Sequence, residues 1–425
     1  MIAAPDLQLP SPLPGRRMLA DPPIGGRIKE RPGDFLVEEL PAYDPTGEGE
    51  HLYLRVAKTG VSHHEMVGVL SRHFQVPESA IGHAGIKDRQ AVTSQTVSVH
   101  LPKRPPLRSI ADERLKVLWA DWHVNKLRRG HLRGNRFSIR IRGVEPFRAP
   151  AVWRGLQRLV AEGVPDWFGP QRFGERANGH ALGRFVLLER WDMLLGELLG
   201  ARGSAFDERE RAAREAADAG DFAAALAAWP HGAGPERTAL RALAAGADAR
   251  RAALAIHRDM LAFWTDAWQS AVHNRLLDDR LAAGTLGSLA AGDVAWKHAN
   301  GARFLVDDAA LAATGDDALT ARAARFEISP TGILPGADAN PAAGATAVAE
   351  SAAISALGLD PAQALAPSRW HTGARRPFRV PVTNPELEAG FDEHGTYVRV
   401  AFDLPAGAYA TVVLRELLGD DALRS

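Results

Sequence analysis

"TYVRVAFDLPAGAYATVVLRELL", residues 396–418, is the stretch that decides the fold. Val398, Val400 and Phe402 alternate along it, the period of a half-buried strand. A Pro-Ala-Gly turn follows at 405–407, after which Val413, Leu414 and Leu417 recur at helical spacing. Strand then helix at the carboxy end is the texture of the first 165 residues, and what lies between is different. In that first part "HLYLRVAK" (51–58) puts Leu52, Leu54 and Val56 on one face of a strand. "SHHEMVGVLSRHF" (62–74) opens on Ser62 with Glu65 three residues on, a capping box, and continues with Val67, Leu70 and Phe74 at helical spacing. "GRIKERPGDFLVEELP" (26–41) reads as a turn at Pro32-Gly33 leading into a short strand, and "TVSVH" (96–100) and "FSIRIRG" (137–143) as further strands. Phe137, Ile139 and Ile141 share one face of the last.

From about residue 165 the pattern turns helical. Residues 201–365 are alanine-rich, and "AALAIHRDMLAFWTDAWQSAVHNRLLDDRL" (252–281) reads as one long helix. Strand signals there are few, with a small β-unit at "GDVAWKHANGARFLVDD" (292–308). The expected fold is therefore α+β, with a mainly helical domain inserted between two segments of an α+β domain, because chain termini tend to lie close together and tolerate insertion. Two domains also suit a chain of 425 residues.

Composition narrows the chemistry. The 51 basic and 51 acidic residues cancel, but residues 101–150 hold 13 Lys and Arg against 4 Asp and Glu, a local charge of +9. Such a block is a footprint for phosphates, although a solvated face paired with acids elsewhere reads the same way. With no cysteine, disulfides, thiolate nucleophiles and Cys-based zinc sites are excluded. The amino-terminal stretch has no basic segment followed by an apolar run, and no run approaches the length of a membrane span, so a cytoplasmic protein without membrane contact is expected. "HEMVG" (64–68) has Gly68 where the zinc motif needs a second histidine, and His63 and His64 diverge on a helix, so no metal is expected. No phosphate loop and no nucleophile elbow occur.

Three segments stand out. "GHAGIKDRQAVTSQ" (82–95) presents Lys87, Asp88 and Arg89 between glycines and a strand. "NKLRRGHLRGNRF" (125–137) gathers Lys126, Arg128, Arg129, Arg133 and Arg136 with glycines that let backbone N–H groups approach a ligand. "VPDWFGPQRFGERANGHALGR" (164–184) interleaves Trp167, Phe168 and Phe173 with Arg172, a combination that serves base stacking and phosphate neutralisation, or equally a plug between domains.

"AGIKDRQAVTSQ", "KLRRGHLRGNRF", "VPDWFGPQRFG" and "FDLPAGAYATVVLREL" resemble the successive motifs of the TruD family of tRNA pseudouridine synthases, in that family's order and spacing. "IKERPGDFLVEEL" and "GEGEHLYLRVAKTG" add its amino-terminal pattern, and the likeness runs from about residue 24 to 420, weakest in the alanine-rich middle. The resemblance implies a pseudouridine synthase catalytic domain with a mixed or antiparallel sheet in residues 1–165 and 373–425, interrupted by an inserted, mainly helical TRUD domain at 166–372. It implies conversion of a tRNA uridine (uridine 13 in bacterial members) to pseudouridine without metal or cofactor: the glycosidic C–N bond breaks, the uracil turns, and C5 rejoins the ribose. It places the catalytic carboxylate at Asp88, and pocket positions at Phe35, Asn135, Phe137 and Tyr409. A carboxylate there can attack the sugar or the base, or remove a sugar proton. Lys87 and Arg89 are expected to favour its charged form and to meet substrate phosphate, and Lys126, Arg128, Arg129, Arg133, Arg136 and Arg172 to meet the tRNA backbone. A monomer is expected. The chain departs from the family pattern at His83, at "KTGVSHH" (58–64), which lacks an Asn-Thr pair, and at Tyr409, where phenylalanine also occurs and the added hydroxyl needs a partner. The alternative from another class is a non-catalytic tRNA-binding or tRNA-folding protein on the same scaffold. A glycosidase would need a second acid near Asp88, and none is placed there by the sequence.

Overall fold

The computed structural model describes residues 2–6, 9–89, 91–110, 112–230, 232 and 234–420. Gln90 of the KDR loop and the extreme ends of the expected catalytic segments (residues 1 and 421–425) lie outside them. By contacts the chain divides into Arg17–Val164 with Val380–Ser425, and Met1–Arg16 with Pro165–Arg379. Its mixture of a large sheet and many helices makes the fold α+β.

The first unit is built on an eight-stranded sheet. Its strands are β1 (Phe35–Pro41), β2 (His51–Thr59), β3 (Ile81–His83), β4 (Val92–His100), β5 (Leu115–His123), β6 (Leu132–Arg142), β7 (Thr383–Asp392) and β8 (Gly395–Pro405). Their order is β7-β8-β6-β1-β4-β2-β5, with β3 beside β4. Only β1 and β4 run parallel, so the sheet is mixed. The two halves of the chain meet at β6 and β8, where Ile141 faces Val398, Ile139 faces Val400 and Phe137 faces Phe402. Each strand brings an alternating apolar row, and matching the rows buries both; a side chain of this size contributes about 1.5–3 kcal/mol on full burial.

Helix α1 (His63–Phe74) begins at Ser62, whose side chain and that of Glu65 form the expected reciprocal cap. It buries Met66, Val67 and Leu70 against Leu52, Leu54 and Val56. Helices α2 (Ala149–Glu162) and α3 (Ala410–Leu418) complete the unit, and α3 buries Val412, Val413, Leu414 and Leu417. Two strands are longer than alternation predicts. β4 starts at Val92 rather than Thr96, because Val92–Ser94 hydrogen-bond into the sheet beside β1 whatever their side chains, and β6 starts at Leu132 rather than Phe137 for the same reason beside β1 and β8.

The second unit is mainly helical. Trp191, Leu194, Leu195, Leu198, Leu240 and Leu261 belong to a core cluster of this unit. The expected long helix is broken: one helix ends at Leu254 and the next runs Arg258–Ala282, with the His257 side chain accepting from Asp259 N at its start. The small β-unit forms as Val294–Lys297 and Arg303–Leu305, extended by Ile328–Leu334 and Ala374–Pro377. The amino-terminal residues join this unit: Ile2 enters its core, Ala3 N donates to Asp192 O, and Arg16 pairs with Asp278 at 2.7 Å. Among the described residues no helix is long and apolar enough to cross a membrane.

Candidate active site

Between β3 and β4 the described residues, 84–89 and 91, have no regular structure. Gly82, just before them, has a physical reason to be glycine: a Cβ there would stand 2.3 Å from Leu127 O and 2.5 Å from Ser98 Oγ. The segment carrying Arg128 and Arg129 passes directly over it. Leu127 N donates to Ser98 Oγ at 3.0 Å, and Gly130 N to Ala84 O at 2.9 Å. Two motifs separate in sequence are thus fastened to each other, by one backbone bond and by a bond to a side chain of the adjoining strand β4.

Within the loop, successive side chains go to opposite sides. Lys87 turns inward and pairs with Glu39 Oε2 at 3.0 Å, the two side chains being 6% and 1% exposed. Glu39 Oε1 in turn accepts from Thr96 N. Asp88 turns outward and is 55% exposed. Arg89 donates to Gly60 O at 3.3 Å. The expectation that Lys87 and Arg89 flank the carboxylate is therefore revised: Lys87 is drawn to the sheet by its ion pair with the buried Glu39, and Arg89 donates to Gly60 O.

The cation at ion-pair distance from Asp88, among the described residues, is Lys29, with Nζ 3.1 Å from Oδ2. The same Nζ lies 4.8 Å from the centre of the Phe35 ring. Lys29 has φ of +59°, the left-handed region, which side-chain-bearing residues enter at a cost and which recurs at functional sites. Lys29 lies in "IKERPGDF" but carries no local signal there, because its partner is 59 residues away in the chain. Lys58, equally without a local signal of its role, sits 1% exposed at the end of β2. Lys58 Nζ donates to Val61 O at 2.7 Å, Lys87 O at 3.2 Å and Asp88 O at 3.0 Å.

Behind the loop, one face of the sheet carries the expected pocket residues. Glu39 faces Asn135, Val37 faces Phe137 and Phe35 faces Ile139, so Phe35, Phe137 and Asn135 share that face. Phe137 and Phe402 rings lie 5.8 Å apart. Asn135 Oδ1 is buried and has no hydrogen-bond partner among the described residues. Gly134 lets β8 come close beside it, since a Cβ there would stand 2.1 Å from Leu404 O. Tyr409 stands at the start of α3 and is 52% exposed, so water can serve the hydroxyl that distinguishes it from phenylalanine.

The basic block is smaller than its count. Arg128, Arg129 and Arg133 are exposed, and Arg133 Nε donates to Pro41 O. Lys126 Nζ reaches Ser79 O at 2.5 Å. Arg136, by contrast, is committed to Asp403 at 2.7 Å and Glu386 at 2.5 Å. Arg142 is buried between Asp34 and Asp392, whose carboxylates hold its guanidinium well above the usual arginine range. Arg172 belongs to the helical unit, where its guanidinium covers the Phe168 ring and lies 3.9 Å from Asp266. Trp167, Phe168 and Phe173 are buried in that unit, so they are not free stacking platforms for bases. No group of three His, Asp or Glu side chains among the described residues is arranged to hold a metal ion.

The family model described as tRNA pseudouridine synthase D (TruD) matches residues 16–417. A tRNA pseudouridine synthase D of Geobacter sulfurreducens is 42% identical over 401 residues, 93% of this chain and 95% of the relative. One of Geotalea daltonii is 39% identical over 93% of this chain and 97% of the relative. A solved structure of a putative tRNA pseudouridine synthase D from Methanosarcina mazei has the same fold, with a TM-score of 0.81 at 24% identity over the whole of both chains.

Proposed function

This chain belongs to the TruD family of tRNA pseudouridine synthases, and from that premise we propose that it isomerises uridine 13 of tRNA to pseudouridine with Asp88 as the essential carboxylate. The observation that carries the proposal is the outward-facing Asp88 beside Lys29, on a loop tied through Lys87 and Glu39 to the sheet face that bears Asn135 and Phe137. The carboxylate acts on the ribose or the base, by attack or by proton removal, and either route frees the C–N bond without a redox step. Phe35 and Phe137 wall the base, Asn135 Oδ1 accepts from it, and Tyr409 borders it. Lys29 offsets the charge that Asp88 brings to the site and also touches the Phe35 ring.

A stacked uridine must be turned out of the RNA to reach such a pocket, which costs a few kcal/mol that contacts elsewhere offset. Arg128, Arg129 and Arg133 supply those contacts on the loop that touches the Asp88 segment, with Lys126 and Arg172 as further contributors. Lys87, in this reading, orders the loop rather than meeting phosphate. The working enzyme is a cytoplasmic monomer that uses neither metal nor cofactor.

The direct test is to map pseudouridine across total RNA in cells with and without the gene. The expected difference is loss of the modification at tRNA position 13, and an unchanged map overturns the proposal. Two variants probe the parts. Replacing Arg128, Arg129 and Arg133 together by alanine is expected to weaken tRNA binding about 10- to 100-fold and to lower the slope of log affinity against log salt by about 2–3, with kcat at saturation unchanged. Lys29→Met is expected to lower kcat about ten-fold with little change in KM; an exposed pair is worth only about 1 kcal/mol in water, and gains once RNA covers it.

A further inference from the structure

The apolar row Leu52, Leu54, Val56 on β2 continues to Lys58, so a lysine occupies the next place on the face that packs against α1. Burying an ammonium there is costly unless each N–H finds an acceptor. An ammonium has three, and Lys58 has three carbonyl partners: Val61, Lys87 and Asp88. A leucine or methionine would fill the same space without that cost. What the lysine adds is a bond to two consecutive peptide units of the KDR loop. Those are the units whose side chains leave in opposite directions, Lys87 toward Glu39 and Asp88 toward solvent. The third bond, to the carbonyl just before the Ser62 cap, joins the loop to the start of α1.

We propose that Lys58 is the positioning residue of the reaction: by holding the carbonyls of Lys87 and Asp88, its ammonium sets the direction in which the Asp88 carboxylate points. The proposal rests on Asp88 being the essential carboxylate. The hydrogen bonds of Lys58 go to backbone carbonyls and none to the Asp88 carboxylate, so its hold on the carboxylate's direction passes through the loop, while its charge also acts on Asp88 at longer range.

The site has a built-in pH readout. Burial pulls the Lys58 amine down to about 8, against the opposing pull of Asp88 and with the help of Lys87. Glu65 and His63 of α1 are the other charged or titratable groups that couple to it. The folded value lies below the unfolded value of 10.5, so between those limits the unfolded chain holds more protons and this group's contribution to folding stability rises with pH. Yet the neutral amine has two hydrogens for three carbonyls, so the hold on the loop loosens over the same range. Activity and stability are thus driven in opposite directions.

The experiment uses the full chain and tRNA turnover. Lys58→Met is expected to lower kcat about 100-fold with KM for tRNA within about two-fold, and Lys58→Gln, which keeps two hydrogens, to fall between. Lys58→Ala should regain about ten-fold in kcat on addition of propylammonium, which replaces the missing atoms. In the wild type, kcat should fall above about pH 8 while thermal stability does not, with amide exchange (corrected for its intrinsic pH dependence) rising in residues 85–89 and not in β4. This last measurement carries the test should the variants fail to fold. Wild-type kcat in a folded Lys58→Met variant overturns the proposal. So does a loss of kcat and affinity in step with stability that propylammonium does not restore, or a wild-type loop whose exchange does not change with pH. Asp88→Asn run alongside separates the two readings: if it turns over normally, the Asp88 assignment fails, whereas an inactive Asp88→Asn with a fully active Lys58→Met removes the Lys58 role alone.

Discussion

Asp88→Asn is expected to lower kcat for tRNA uridine isomerisation by about 10⁴-fold or more while leaving tRNA affinity intact or slightly higher. Asparagine has the shape of aspartate and keeps the peptide carbonyl that Lys58 holds, so the loop has no reason to move. What disappears is the charge that lets the group attack or accept a proton. Under the proposed assignment affinity is spared, because Arg128, Arg129 and Arg133 rather than Asp88 would hold the tRNA, and removing one negative charge facing a polyanion relieves repulsion. Single-turnover kinetics and a binding titration on the same preparation separate the two effects. Parallel loss of both would mean that Asp88 serves the structure of the site.

The second large effect concerns stability. Lys87→Met leaves Glu39, 1% exposed, as a buried carboxylate without its cation. Breaking a buried pair from one side costs about 3–5 kcal/mol, and for a unit of this size that lowers Tm by roughly 10 °C. Adding Glu39→Gln removes the stranded charge and keeps an acceptor for Thr96 N, so the double variant should regain more than half of the loss. Had Lys87 met phosphate instead, Lys87→Met would leave Tm alone and weaken tRNA binding with a smaller salt slope. Thermal unfolding and binding of the single and double variants decide between these.

The contrast shows where the sequence was informative. Alternation in Val398, Val400 and Phe402 and in Phe137, Ile139 and Ile141 marks two strands that turn out to be neighbours, because each row buries only against another. The Ser62–Glu65 cap is local and was readable from four residues. Direction was harder. Lys87, Asp88 and Arg89 look alike as a charged triplet, and only the buried Glu39, 48 positions earlier, draws Lys87 away from its neighbour. Arg136 and Arg142 count toward a basic patch until their acids, Glu386 and Asp392, arrive 250 residues later to take them. Lys58 did leave a trace, a cation continuing the row of Leu52, Leu54 and Val56, but its acceptors are carbonyls of a loop, and carbonyls have no sequence signature.

The central claim is tested most directly by tRNA carrying tritium at C5 of uridine 13 alone, incubated with the purified chain and no added metal. Forming the C5–ribose bond expels that hydrogen, so the account predicts release of about one tritium per tRNA by the wild type and none by Asp88→Asn. Retention of the label by wild-type enzyme that binds the tRNA, or equal release by the Asp88→Asn variant, would contradict it.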